Sequence, residues 1–268
     1  MKTYTKIIFW FLAVIITMFS FVYQRTTGPT YPARGSVELN DTDINYRLIR
    51  SYDGADDAPV VIEVDDKNVK GTFSYKRYPS YDEWMVDSMV RDGDSLIAFI
   101  PHQPPAGKVM YHITLYDAEA SVELTEEPVI IRFRDPVPVW AVIPHVLLMF
   151  FAMVFSARAG IEAITKGSGI RWLTYAALIT LIIGGLVFGP IMQKFAFGEY
   201  WTGWPLGTDL TDNKTAVAFV FWIIAAIAVW KNPNHRAWVI AAAIVTLIIY
   251  LIPHSLLGSE IDFTAENY

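Results

Sequence analysis

Five stretches of this chain are long, apolar and free of Asp, Glu, Lys and Arg: residues 7–23, 139–157, 172–192, 215–230 and 238–257. A helix needs roughly 20 such residues to cross a bilayer, and the fourth stretch reaches that length only with its flanks. Aromatic residues stand near several ends, Trp10, Tyr23, Trp140, Trp172, Trp230 and Trp238 among them, as in the aromatic belts of membrane helices. A charged fraction of 18% and a mean hydropathy of +0.33 make the lipid bilayer the first expected partner and exclude a disordered chain. The first stretch has a basic start, but 18–25 reads MFSFVYQR, without the small residues of a signal-peptidase site. It reads as an anchor helix that is kept, residues 1–24.

Lys and Arg in short loops orient the spans. One side holds Lys2, Lys6, Arg158, Lys166, Arg171, Lys231 and Arg236 against a single acid, Glu162. The other holds Lys194 and Lys214 against Glu199, Asp209, Asp212, Glu260, Asp262 and Glu266. The bias agrees in every loop. It puts the N-terminus inside and the C-terminus outside, in what reads as a bacterial inner (cytoplasmic) membrane.

Residues 25–138 are a different kind of sequence, with 12 Lys and Arg against 20 Asp and Glu. Apolar and polar residues alternate there with the period of a strand, at Ile44, Tyr46 and Leu48, at Val109, Tyr111, Ile113 and Leu115, and at Val129, Ile131 and Phe133. Further strands read at 35–39, 59–64, 71–77, 84–90 and 95–100, between turn signals such as Asp53-Gly54, Asp92-Gly93-Asp94 and Pro104-Pro105-Ala106-Gly107. Seven or eight short strands fit an extracytoplasmic immunoglobulin-like β-sandwich. Asp53, Asp56 and Asp57, and also Asp65, Asp66 and Asn68, lack the spacing of a calcium loop and read as solvated turns. His112 takes the polar phase of its strand and reads as surface. The expected architecture is an α+β membrane protein: the N-terminal anchor helix, the β-sandwich, a C-terminal four-helix transmembrane bundle over 139–258, and an outer tail, 259–268.

Two histidines fall in apolar sequence. Ile143-Pro144-His145 lies near the start of the second span and Ile252-Pro253-His254 near the end of the fifth, so both read into one layer below the outer interface. Met149 and Met153 follow His145 at helical spacing, and Thr246 and Tyr250 precede His254. Between these spans runs a Trp-rich outer loop, 194–214, with Tyr200, Trp201, Trp204, Glu199, Asp209 and Asp212. An imidazole in hydrocarbon is costly and faces protein or a cavity. His145 and His254, with Met149, Asp209 and Asp212, are therefore the candidate metal ligands, and Trp201, Trp204 and Tyr250 would complete a cofactor site for haem b or a transition metal. Each has a plainer reading. A His one turn inside the interface can bond a neighbouring carbonyl, the aromatics can be interfacial anchors, the methionines can be packing, and Asp212 can be the N-cap of the fourth span. Gly185 and Gly189 form a GxxxG spacing for close helix packing, with a kink at Pro190.

The order His145, Trp201–Thr211 loop, His254 resembles, over about two dozen residues, the haem-handling membrane proteins of cytochrome c maturation, which carry a Trp-rich outer loop between two outer histidines. The resemblance implies haem contact at those positions. This loop departs from that pattern in having Trp204-Pro205 where a Trp-Asp pair is expected, and in being shorter.

Cys is absent, which excludes disulfides, thiolate metal sites and a Cys nucleophile. The net charge of −6 gives no global basic field for nucleic acid. No P-loop, dinucleotide fingerprint, HExxH or Gly-x-Ser-x-Gly is present, so an enzyme is the lesser expectation. The first functional expectation is an accessory or assembly subunit of a larger membrane complex, docking other membrane or extracytoplasmic proteins through its β-domain. The alternative is a haem- or metal-binding membrane protein serving electron transfer or cofactor handling.

Overall fold

The computed structural model describes residues 3–40 and 42–265; Lys2 and Glu266, counted in the charge reading, lie outside them. The chain divides into two compact units, one made of its start and of Val137–Gly258, the other of Thr30–Pro136 with the chain from Ser259 onward.

The helical unit contains α1 (Thr3–Thr26), α2 (Val139–Ile164), α3 (Ile170–Leu181), a π-helical segment (Ile182–Phe188), α4 (Gly189–Phe197), α5 (Leu210–Lys231) and α6 (Arg236–Leu251). Four helices are long and apolar enough to cross a membrane: α1, α2, the run Ile170–Phe197 that joins α3 to α4, and α5. The fifth expected span differs. α6 stops at Leu251, where the sequence reading carried it to 257. The cause is Pro253, whose ring keeps the preceding residue out of helical geometry; Ile252 is extended, with φ −78° and ψ 123°. Its 16 residues make a helix of about 24 Å, against a hydrocarbon core of about 30 Å.

Small residues set the packing. Ala152, Ala159, Ala163, Ala177, Ala218, Ala225 and Ala242 are buried around Trp222 in one cluster. Helix association in lipid depends on such close approach. The Trp222 indole donates to Thr246 Oγ1 at 2.8 Å, and that hydroxyl donates to Ala242 O, so the largest side chain of the cluster leaves no polar group unpaired. Two of the expected GxxxG glycines meet other helices. A Cβ on Gly185 would stand 2.9 Å from Thr215 of α5, and one on Gly189 3.7 Å from the His145 ring. Gly184 is tighter still on α2, 2.8 Å from Leu148. These glycines lie in or beside the π-helical widening, which ends just before Pro190. Proline cannot donate its own backbone bond, and the register shift absorbs the loss.

The second unit has eleven strands among the described residues. β1 (Ala33–Leu39) and β2 (Thr42–Leu48) form a hairpin. β3 (Ser51–Tyr52), β5 (Lys70–Arg77), β6 (Met85–Ser88), β9 (Lys108–Tyr116), β10 (Ser121–Glu123) and β11 (Val129–Phe133) form one sheet in the order β3-β11-β9-β5-β6, with β10 also on β9. β4 (Ala58–Glu63), β8 (Ser95–Ile100) and β7 (Val90–Asp92) form a three-stranded sheet in the order β4-β8-β7. The alternation read from sequence is the burial pattern. Val109, Tyr111, Ile113 and Leu115 of β9 point inward beside Phe73, Ile131 and Phe133, and share one core with Val60, Ile62, Leu96 and Ile100 of the smaller sheet. The expected strand 84–90 is split, because Met89 turns into the core and the chain passes from one sheet to the other there.

Turns close as their sequences imply. The Asp117 carboxylate accepts from the backbone of Ala120 and Glu119, an Asx turn between β9 and β10; these two bonds hold it below the ordinary carboxylate range. Asp66 accepts from Asn68 N, Asp57 from His102 N, and Asp53 pairs with Arg134. His112 has the outward phase, but the Trp84 ring lies over it at 5.6 Å and its Nδ1 is buried. Residues of the expected outer tail pack on this unit: Lys108 pairs with Glu260, Ile261 N donates to Ala106 O, and Arg77 stacks on Phe263 at 4.8 Å.

Candidate functional site

The Trp-rich loop is stapled to the start of α5. Asp212 Oδ2 accepts from Thr202 N at 2.7 Å and Gly203 N at 3.0 Å, while Asn213 Oδ1 accepts from Trp204 N at 2.7 Å. The Trp201 indole donates to Trp204 O within the loop. Gly203 is dictated by this approach, since a Cβ there would lie 2.6 Å from Asp212 Cβ. The N-cap reading of Asp212 is corrected. The helix begins at Leu210, earlier than the hydropathy suggests, and Asp209 is the N-cap, its carboxylate accepting from Thr211 N at 2.8 Å. Asp212, one turn in, holds the loop instead. Trp204 is 78% exposed, so its indole lines no enclosed cofactor pocket.

The two histidines differ in kind. His145 lies on α2 and its Nδ1 donates to Gly184 O of the π-helical segment at 2.9 Å; the carbonyl fixes that tautomer and leaves Nε2 as an acceptor. His254 is not on a helix, a correction that follows from Pro253: it is exposed in the turn after α6 and shares no helical face with Thr246 and Tyr250. Those two point into the unit, Tyr250 donating to Met149 O at 2.8 Å, so α2 and α6 are neighbours. Met149 and Met153 pack. Among the described residues no group of three or more His, Asp or Glu converges as a metal site would. The structure thus joins Trp201 to Trp204 within the loop, Asp212 to the loop backbone and Tyr250 to Met149, with His145 on the Gly184 carbonyl and His254 past the end of α6.

Several polar residues escaped the sequence reading. Arg158 and Glu162 were taken as loop residues, yet α2 continues through both, and they form a buried pair at 2.7 Å, each side chain 4% exposed. Glu162 also accepts from Gly169 N, and the guanidinium faces the Phe9 and Trp10 rings of α1 at 5.6 Å. Three further cations share one arrangement. Arg171 at the start of α3 donates to Val229 O and Trp230 O at the end of α5. Arg236 at the start of α6 donates to Glu162 O near the end of α2. Lys214 in the first turns of α5 donates to Ile252 O and Pro253 O just past α6, where Gln24 also reaches Ile252 O. A cation at a helix N-terminus opposes its own dipole. Here each serves carbonyls at or just past the C-terminal end of an antiparallel neighbour.

The β-domain presents a surface of another kind. In the three-stranded sheet, Val61 is opposite Ile97 and Ile97 opposite Val90, and Pro59 is opposite Phe99. All five take the outward phase, and Val61, Val90 and Phe99 are 44%, 60% and 49% exposed. The next outward row is Glu63, Ser95 and Asp92. An apolar outward face with an acidic margin is unusual for a solvated sheet. Its signal was in the sequence: 60–62 reads VVI and 96–100 reads LIAFI, continuous runs of strands covered on both faces. Beside this face, Asp87 of β6 accepts from Tyr75 Oη at 3.4 Å. Burial first, then the Asp87 charge, raises the Tyr75 phenol above its ordinary pKa, so it remains a donor.

The chain matches no protein-family model and no curated sequence significantly.

Proposed function

We propose that this chain is an integral membrane accessory or assembly subunit whose outer β-domain docks a partner protein. In this reading the two β-layers are an immunoglobulin-like sandwich outside a bacterial inner membrane, the N-terminus is inside, and α6 completes the set of spans. The observation that carries it is the outward apolar face of Val61, Val90, Ile97 and Phe99. The strands beneath have the sequence of strands with both faces covered, and the face is open in the chain alone.

Protein extracted gently from its native membrane should migrate as a complex larger than the chain alone. The double variant Val61→Ser, Phe99→Ser should weaken that complex by about 2 kcal/mol or more, since apolar anchors at an interface centre carry most of its energy, and should migrate as the free chain with its β-spectrum unchanged. An unchanged complex in the variant would remove this face from the reading. The topology has its own test, made clean by the absence of Cys. Cysteines at Ser51, Thr208 and Thr264 should react with an impermeant thiol reagent in intact cells, and cysteines at Ser168 and Asn234 should not. Labelling of Ser168→Cys from outside would overturn the orientation.

A further inference from the structure

The apolar face of the β4-β8-β7 sheet ends in a notch of about 240 Å³, walled by Phe73, Val90, Ile97 and Phe99 with Asp87 at its side. Among the described residues Asp87 has one hydrogen bond, the 3.4 Å contact from Tyr75 Oη, and no ion pair. Two aromatic rings and two aliphatic side chains suit the stem of a long side chain. A carboxylate with an open oxygen suits a cationic tip. Aromatic walls also favour a guanidinium or ammonium by cation–π attraction. The surroundings agree in sign: Glu63 and Asp92 flank the face, while the nearby Arg91 is turned away, its guanidinium on Val64 O and Val69 O.

Resting on the docking reading above, we propose that the notch receives an Arg or Lys side chain of the partner, and that the partner's contact surface is an apolar patch edged by basic residues. A second copy of this chain fits less well. It would bring the Glu63 and Asp92 margins together, and like charges across an interface oppose association. Pairing of two copies through the edge strand β6 is opposed by Asp87 itself, which is paired with Phe73 on the core-facing side of that strand; inward charges on edge strands block such pairing. An anionic lipid surface meets the same acidic margin.

The test uses the full chain in its native membrane, with the photoreactive p-benzoylphenylalanine in place of Phe99 and the cross-linked peptide identified by mass spectrometry. The expected product joins residue 99 to a different protein, at a segment with Arg or Lys within a few residues of the linked position. Asp87→Asn, an exposed and nearly isosteric change, should lower its yield at least tenfold, as expected for losing one partner of a desolvated charge pair, and Asp87→Glu should restore much of it. A linked segment without Arg or Lys, or an Asp87→Asn yield equal to the unsubstituted one, would overturn the notch assignment and leave the docking face standing. A product joining two copies of this chain, or one with lipid, would overturn the basic-protein partner. No cross-link from residue 99 at all would overturn the docking reading and the notch together.

Discussion

Arg158→Leu is expected to destabilise the helical unit by about 3–5 kcal/mol, the range found when one member of a buried ion pair is removed. Both side chains are almost fully buried. The substitution leaves the Glu162 carboxylate with Gly169 N as its one hydrogen-bond donor among the described residues. Glu162→Ala should cost a similar amount, because it strands a guanidinium whose Nε and Nη1 already lack a hydrogen-bond partner among the described residues. The double variant Arg158→Leu, Glu162→Gln should recover much of the loss. The glutamine oxygen still accepts from Gly169 N, and leucine fills the space between Phe9 and Trp10 without a charge to desolvate. Denaturation in detergent micelles would read all three, and with Glu162→Gln added as the matching single variant the coupling in the double-mutant cycle should be about 1–3 kcal/mol. Single variants as stable as the parent protein would mean that the pair is hydrated.

This pair also marks where the sequence stops being legible. The apolar stretches identify the helices, and the 2-residue period identifies the strands of the core, because both report directly on which faces meet water. Helix ends obey other rules. Arg158 and Glu162 look like loop residues by charge, yet they sit one turn apart on α2 and neutralise each other. Asp209 caps a helix that hydropathy starts several residues later. Arg171, Arg236 and Lys214 look like charges in loops, but they cap neighbouring helices, a pairing that depends on which helices are antiparallel neighbours and on nothing local. The charge bias that orients the chain therefore includes residues with contacts inside the protein. Lys6, Lys166 and Lys231 make no such contact among the described residues and carry the orientation argument more directly.

The candidate site divides in the same way. Trp201 and Trp204 are joined within the loop, and Asp212 holds that loop through Thr202 and Gly203; placing His254 on one helical face with Thr246 and Tyr250 assumed that α6 runs on through Pro253. The rule that the residue before a proline tends to leave the helix holds at Ile252 but not at Ile143, where the same Ile-Pro-His sequence stays helical near the start of α2, so the rule alone does not tell the two histidines apart. The apolar outward face was readable, in 60–62 and 96–100.

The loop built on Asp212 gives the second large expected effect. Asp212→Ala withdraws the acceptor of Thr202 N and Gly203 N. A buried N–H left without a partner costs about 1–3 kcal/mol, so the loop's closed form should lose about 2–4 kcal/mol. Asp212→Asn should lose far less, since one amide oxygen can accept both bonds. Gly203→Val tests the same contact from the other side, without touching a hydrogen-bonding group. Its Cβ would overlap Asp212 Cβ and crowd Asn213, and the loop can relieve this only by lifting from α5. Both Asp212→Ala and Gly203→Val should raise amide exchange at Thr202, Gly203 and Trp204 by about two orders of magnitude and open 198–209 to protease, each 1.4 kcal/mol of lost closure being worth a factor of about ten. The N-cap bond of Asp209 to Thr211 N is separate, so the rest of α5 should stay protected. Protection unchanged in Gly203→Val would show that the loop does not rest on Asp212, and α5 exchanging together with the loop would show that the two are one cooperative element.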